Sequence, residues 1–113
     1  MSSAVPHFET MEAFWPYYLQ EHRDPLNRRL HFVGTSIVFA LPFLALALRN
    51  PWFLLAMPVA GYGFAWAGHF LVEKNRPATF TYPRWSLLCD FRMWALMATG
   101  RLGPHLERAV AGR

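Results

Sequence analysis

Two stretches of this chain are almost free of polar positions. Phe32 to Leu48 carries no charge, and Pro51 to Val72 carries none either, with His69 its one histidine. Both are close to the ~17 to 25 residues that cross a hydrocarbon core. Ahead of the first run, the segment HRDPLNRR offers Asp24 as a cap and Pro25 at a first helical position, which predicts a helix from Pro25 to about Leu48. Asn50 followed by Pro51 repeats that start signal and predicts a helix from Pro51 to about Glu73. Helices joined by so short a connection are expected to be antiparallel neighbours. Pro42 and Pro58 fall inside them and are expected to bend them.

The flanks have a different pattern. Phe8 to Glu21 places Phe8, Met11, Phe14 or Trp15, Tyr18 and Leu19 near one face, the spacing of an amphipathic helix interrupted by Pro16. After KNRPATFTYP, too rich in breakers to be helical, Arg84 to about Thr99 reads as a second amphipathic helix lying against the hairpin or in the membrane interface, with Asp90 and Arg92 among apolar neighbours. The tail beyond Gly100, residues 101–113, is expected to be peripheral, a short exposed turn. The expected fold is therefore all-α: a helical membrane protein built on an antiparallel transmembrane hairpin of apolar helices (about 32–48 and 51–72), flanked by amphipathic helices in a small bundle.

Composition supports this reading. At 113 residues without a linker-like break, the chain is expected to be a single domain, 1–113. Apolar residues make up 54% and charged residues 16%, a balance that points to a membrane or an extensive partner surface. The first run is at the short limit for a span, so a soluble helical bundle is the alternative. The N-terminal MSSAVPHFETMEAF lacks the basic start and apolar centre of an export signal, so the first apolar run is expected to stay in the mature protein. The single cysteine, Cys89, reads as an apolar core residue.

A net charge of +4, without basic residues interleaved with aromatics on one face, argues against a nucleic-acid partner. The basic residues fit topology better. Arg23, Arg28, Arg29, Lys74, Arg76 and Arg84 flank the open end of the hairpin and only Arg49 lies at its turn, so the open end is expected to face the cytoplasm. Trp52 and Phe53 at the turn, with Tyr82 and Trp85 near the open end, suit the two interfacial belts.

Spacing then singles out a site. From Leu48 back to His31 and from Trp52 forward to His69 the intervals are both about 17 residues, roughly 25 Å of helix, so the two histidines are expected at one depth. Gly61, Ala65, His69 and Glu73 recur every fourth residue, as do Asn27, His31 and Thr35. If these stripes face one another, His31, His69, Glu73 and Asn27 converge. Neutral imidazole is a favoured ligand for iron, zinc and copper, and an ionisable group in an apolar helix usually has a functional partner. A hydrogen-bonded core histidine is the alternative for His69, and a surface pair with Lys74 or Arg76 is the alternative for Glu73. His22 precedes the second helix, off the face of His31, and joins the site only if the chain folds back there. His7 and His105, in terminal segments, read as solvated.

YLQEHRDPLNRRLHFVGT (Tyr18–Thr35), GHFLVEKNRPATF (Gly68–Phe80) and YPRWSLLCDF together resemble the Mpo1-like family, across nearly all of Phe14 to Gly100. Yeast-type members are iron(II)-dependent dioxygenases of the endoplasmic reticulum that shorten 2-hydroxy fatty acids by one carbon in fatty acid α-oxidation. The resemblance implies histidine-bound Fe(II) at His22, His31 and His69, a 2-hydroxy fatty acid and O2 as substrates, and contact with membrane lipid. It also draws attention to Asn27 and Asp90 beside Glu73 as further site residues. Lys74-Asn75-Arg76-Pro77 and WSLLCDF depart from the yeast-type pattern and look like a shorter bacterial subgroup, so the chemistry is expected to transfer better than the substrate. Arg28, Arg29 and Arg76 can pair with a substrate carboxylate, with topology or lipid headgroups as their alternative role. Two other classes stay open: a haem between His31 and His69, and a non-catalytic structural hairpin. Oligomeric state is not legible in the sequence.

Overall fold

The computed structural model describes residues 7–111, so the first six residues of the N-terminal stretch and the last two of the tail lie outside it. Every regular element among the described residues is helical. The chain divides into two compact units, one joining the segment up to Glu21 with Ala78 onward, the other being His22–Pro77.

In the first unit, α1 (Met11–Gln20) starts at Thr10, whose side chain accepts from the Ala13 N–H at 3.1 Å. Its predicted apolar face is the one that is buried: Phe14, Trp15, Tyr18 and Leu19 enter a core with Ala78, Cys89, Met93, Leu102 and Ala109. Burying a side chain such as Leu19 or Met93 contributes roughly 1.5–3 kcal/mol. Tyr82 and Trp85, expected at an interfacial belt, stack on each other with centroids 5.2 Å apart and pack on Phe14. Cys89 is fully buried, and desolvation pushes its thiol up to about 12, as an apolar core role requires.

The tail differs from its expectation. Rather than a short exposed turn it forms a ten-residue helix, Leu102–Ala111, whose Leu102 and Ala109 are buried in the core. The physical reason is the spacing of Leu102, Leu106 and Ala109, one apolar stripe at helical period.

The second unit holds both apolar segments. α2 (Pro25–Ala47) begins where predicted: the Asp24 carboxylate accepts from the Leu26 N–H at 2.9 Å, and Pro25 has no N–H to satisfy. Asn50 caps the second segment in the same way, accepting from the Trp52 N–H at 3.1 Å. That segment has the predicted extent but is α-helical only in its middle. A 3₁₀ turn (Pro51–Leu55) leads into α3 (Ala56–Ala67), which passes into a π turn at Gly68–Glu73. Opening the α-helical part at Ala56 puts Pro58 in its first turn, where a missing N–H costs little.

The two segments touch in a fixed order. A Cβ at Gly61 would meet Val38 Cγ2 at 3.3 Å, one at Gly34 would meet the Phe64 Cβ at 2.8 Å, and one at Gly68 would overlap the side-chain carbonyl of Asn27. Residue number falls along α2 as it rises along the second segment, which is the order of antiparallel neighbours. Pro25–Ala47 and Pro51–Glu73 are each 23 residues long and apolar enough to cross a membrane. At ~1.5 Å per residue each reaches about 34 Å, against a hydrocarbon core of about 30 Å. Phe43, Leu46, Trp52, Val59 and Leu71 are 73–78% exposed, an apolar surface of the kind that lipid or a partner covers.

Candidate metal centre

The site lies within the His22–Pro77 unit. His31 sits one helical turn after Asn27, and its Nδ1 is 2.9 Å from the Asn27 carbonyl oxygen. A carbonyl only accepts, so Nδ1 carries the proton and donates it, and Nε2 keeps its lone pair. His69 reaches the same state by another route. Its carbonyl takes the Asn75 N–H at 2.9 Å and also the N–H of Lys74, which is left-handed at φ 58°. This closes the π turn and returns the chain, so that the side-chain oxygen of Asn75 accepts from His69 Nδ1 at 2.7 Å. Nε2 is again left with its lone pair.

His22 stands outside any helix. Its carbonyl and that of Arg23 each accept from Arg28 Nη1 at 2.7 Å, and its Nε2 lies 3.1 Å from His31 Nε2. The three rings form a corner. Centroids are 4.5 Å apart for His22 with His31 and with His69, and 5.0 Å for His31 with His69, with planes 79–90° to one another. All three side chains are buried and their ligand atoms lie within 4.8 Å of one another.

These residues fit a metal ion. Two imidazoles bound at ~2.0–2.1 Å with a tetrahedral angle between them have nitrogens about 3.3 Å apart, and the His22–His31 pair is already at that separation. Hydrogen-bond acceptors behind His31 and His69 fix tautomer and ring orientation, as the supports of ligating histidines do. An ion held by three imidazoles would keep further positions for small molecules, and imidazole suits iron, zinc, copper or nickel.

The remaining expected residues surround this corner or lie elsewhere. Asn27 is fully buried; its Nδ2 is 3.4 Å from Glu73 Oε1, and its Oδ1 packs against Gly68 without a hydrogen bond. Glu73 Oε1 accepts from the Asp24 N–H at 2.5 Å. It thereby ties the end of the π turn to the start of α2, and it is not one of the converging ligand groups. Arg28 is engaged with the two loop carbonyls, whereas Arg29 and Arg76 are exposed. Asp90 belongs to the other unit, where it accepts from the Tyr18 hydroxyl, and desolvation pushes its carboxyl up to about 7 although the residue keeps partial exposure. His105, expected to be solvated, accepts from Trp15 Nε1 at 3.2 Å.

Three participants were not singled out from sequence for the parts they play here: Asn75, Gly68 and Arg28. Gly68 and Asn75 stand in the quoted GHFLVEKNRP segment, where a Gly beside a histidine and an Asn in a turn carried the available signal.

No curated protein and no solved structure matches the chain at a significant level. A family model does: the one described as 2-hydroxy-palmitic acid dioxygenase Mpo1-like covers residues 8–102, a range that takes in all three histidines and their supports, and the chain belongs to this Mpo1-like family.

Proposed function

We propose that this protein is an iron(II)-dependent dioxygenase of a membrane that converts 2-hydroxy fatty acids into the acid one carbon shorter, with His22, His31 and His69 as the metal ligands. The observation that carries this reading is the corner of three buried imidazoles within 4.8 Å, in a chain whose family is described by that activity. Iron(II) held by these three histidines would supply redox chemistry with O2 and Lewis acidity toward the substrate's carboxylate and hydroxyl. In the overall reaction the C1–C2 bond breaks, C2 is oxidised to a carboxyl, C1 leaves as CO2, O2 is reduced, and water is the remaining product.

The chain's own residues orient and enclose. The Asn27 carbonyl and the Asn75 side chain hold the rings of His31 and His69, and burial of all three imidazoles keeps bulk water away. Asn27 and Glu73 lock the π turn to the start of α2. The exposed Arg29 and Arg76 are suited to meet the substrate carboxylate as it arrives. Asp90 serves its own unit through Tyr18. The two apolar segments cross an inner membrane as a hairpin, with the histidine end on the cytoplasmic, positively flanked side. A haem would need its two histidines on opposite faces of a flat macrocycle, and three imidazoles meeting at one corner favour a bare ion instead.

The test is oxygen uptake by purified protein loaded with iron(II) under anaerobic conditions. Uptake on adding 2-hydroxypalmitate and none on adding palmitate is expected; no uptake with either acid, from protein shown to hold iron, contradicts the proposal.

A further inference from the structure

Of the three histidines, His22 alone has no helix to place it: it lies three residues ahead of Pro25, where α2 begins. Its backbone is held from the helix side. Arg28 Nη1 is 2.7 Å from the carbonyl oxygens of both His22 and Arg23, and one planar NH2 group has a hydrogen for each. Bonds of this length from a guanidinium are charge-assisted and stronger than neutral ones. The anchor is itself fixed, since the Arg28 N–H donates to the Asp24 carbonyl at 3.2 Å within the first turn. Arg28 is also three residues before His31 on the same helix, so a single turn of α2 presents one ligand and tethers another.

We propose that Arg28 is a positioning residue of the metal centre, holding His22 against His31 through the carbonyls of His22 and Arg23. The proposal rests on the metal-centre reading above and gives Arg28 a role distinct from carboxylate binding. Its neighbour Arg29, exposed on the same helix, has no part in the tether.

The test uses the full chain in detergent, titrated with Co(II) and followed by visible absorption, whose band pattern and intensity respond to ligand number. Arg28→Ala is expected to weaken Co(II) binding by about 10- to 100-fold, the range for losing a support behind a ligand. His22→Ala changes the bands in the same direction, and Arg101→Ala, at an exposed position of the other unit, leaves them unchanged. Because Arg28 acts through His22, the double variant Arg28→Ala/His22→Ala binds no more weakly than His22→Ala alone. Arg28→Met, which keeps the apolar stem and removes only the donors, is read in place of Arg28→Ala if that chain does not fold, and the same loss is expected. Wild-type binding in the Arg28 variant, or a loss that adds in full to that of His22→Ala, overturns the proposal alone. A wild-type chain without Co(II) bands overturns the metal-centre reading, and this proposal with it.

Discussion

The side-chain carbonyl of Asn27 rests against the α-carbon of Gly68, so closely that a Cβ at position 68 would overlap it. One contact thus joins the residue whose backbone orients His31 to the residue that precedes His69. Gly68→Ala must push Asn27 or the π turn aside, because Asn27 and Gly68 are both buried and the added Cβ would also come within 3.4 Å of the Asn27 α-carbon. Overpacking of this kind costs typically about 1–3 kcal/mol. The expected result is a lower melting temperature in detergent together with weaker metal binding; a variant that melts and binds like wild type contradicts the contact.

Asn75 orients His69 from the far side of the π turn, at 2.7 Å. Asn75→Ala removes the acceptor that keeps the proton on Nδ1, which leaves the ring free to change tautomer or rotate. Affinity for iron(II) is expected to fall about 10- to 100-fold with helicity unchanged. Anaerobic titration followed by metal analysis checks this, and an unchanged affinity would remove Asn75 from the account.

Much of the second unit was legible in sequence because its signals are local. Asp24-Pro25 and Asn50-Pro51 start both segments through caps made within two residues, and Asn27, His31 and Thr35 share one buried face as their spacing required. The meeting of His31 and His69 followed from two equal helical intervals. The π turn was not legible, since it depends on the Lys74 and Asn75 amides both turning back to the His69 carbonyl, and on a contact with a residue forty-one positions earlier. The place of His22 was hidden for the same reason: no periodicity governs a residue outside a helix, and a guanidinium six residues on holds it. Family resemblance brought His22 in where spacing could not. In the first unit the core face of α1 is readable from its apolar spacing, whereas the tail's stripe of Leu102, Leu106 and Ala109 is masked by the Gly, Pro and charges among which it lies.

Asp90 makes stability in the first unit depend on pH. Desolvation raises its carboxyl from the usual 3.8 to about 7, more than the Tyr18 hydrogen bond lowers it, so the folded state binds a proton that the unfolded state releases. The unfolded chain binds fewer protons across this window, so stability falls as pH rises. The Asp90 contribution to stability is therefore fully present below about pH 4 and is lost as pH rises through about 7, with an upper bound of ~4 kcal/mol. Asp90→Asn keeps an acceptor for Tyr18 and loses the titration. Hydrogen exchange of the Pro83–Ala98 helix between pH 4 and 8, corrected for intrinsic rates, is expected to show this slope in the wild type and a flatter one in Asp90→Asn. Equal slopes would contradict it.

Whether the corner of His22, His31 and His69 is the iron site of a 2-hydroxy acid dioxygenase is decided by the identity of the product. Protein reconstituted anaerobically with iron(II) is given 2-hydroxypalmitate and then O2, and the fatty acids are followed by mass spectrometry. The one-carbon-shorter acid is expected, formed only with both iron(II) and O2, and absent from the double variant His31→Ala/His69→Ala. No shorter acid across several chain lengths, from protein shown to hold iron, would contradict it.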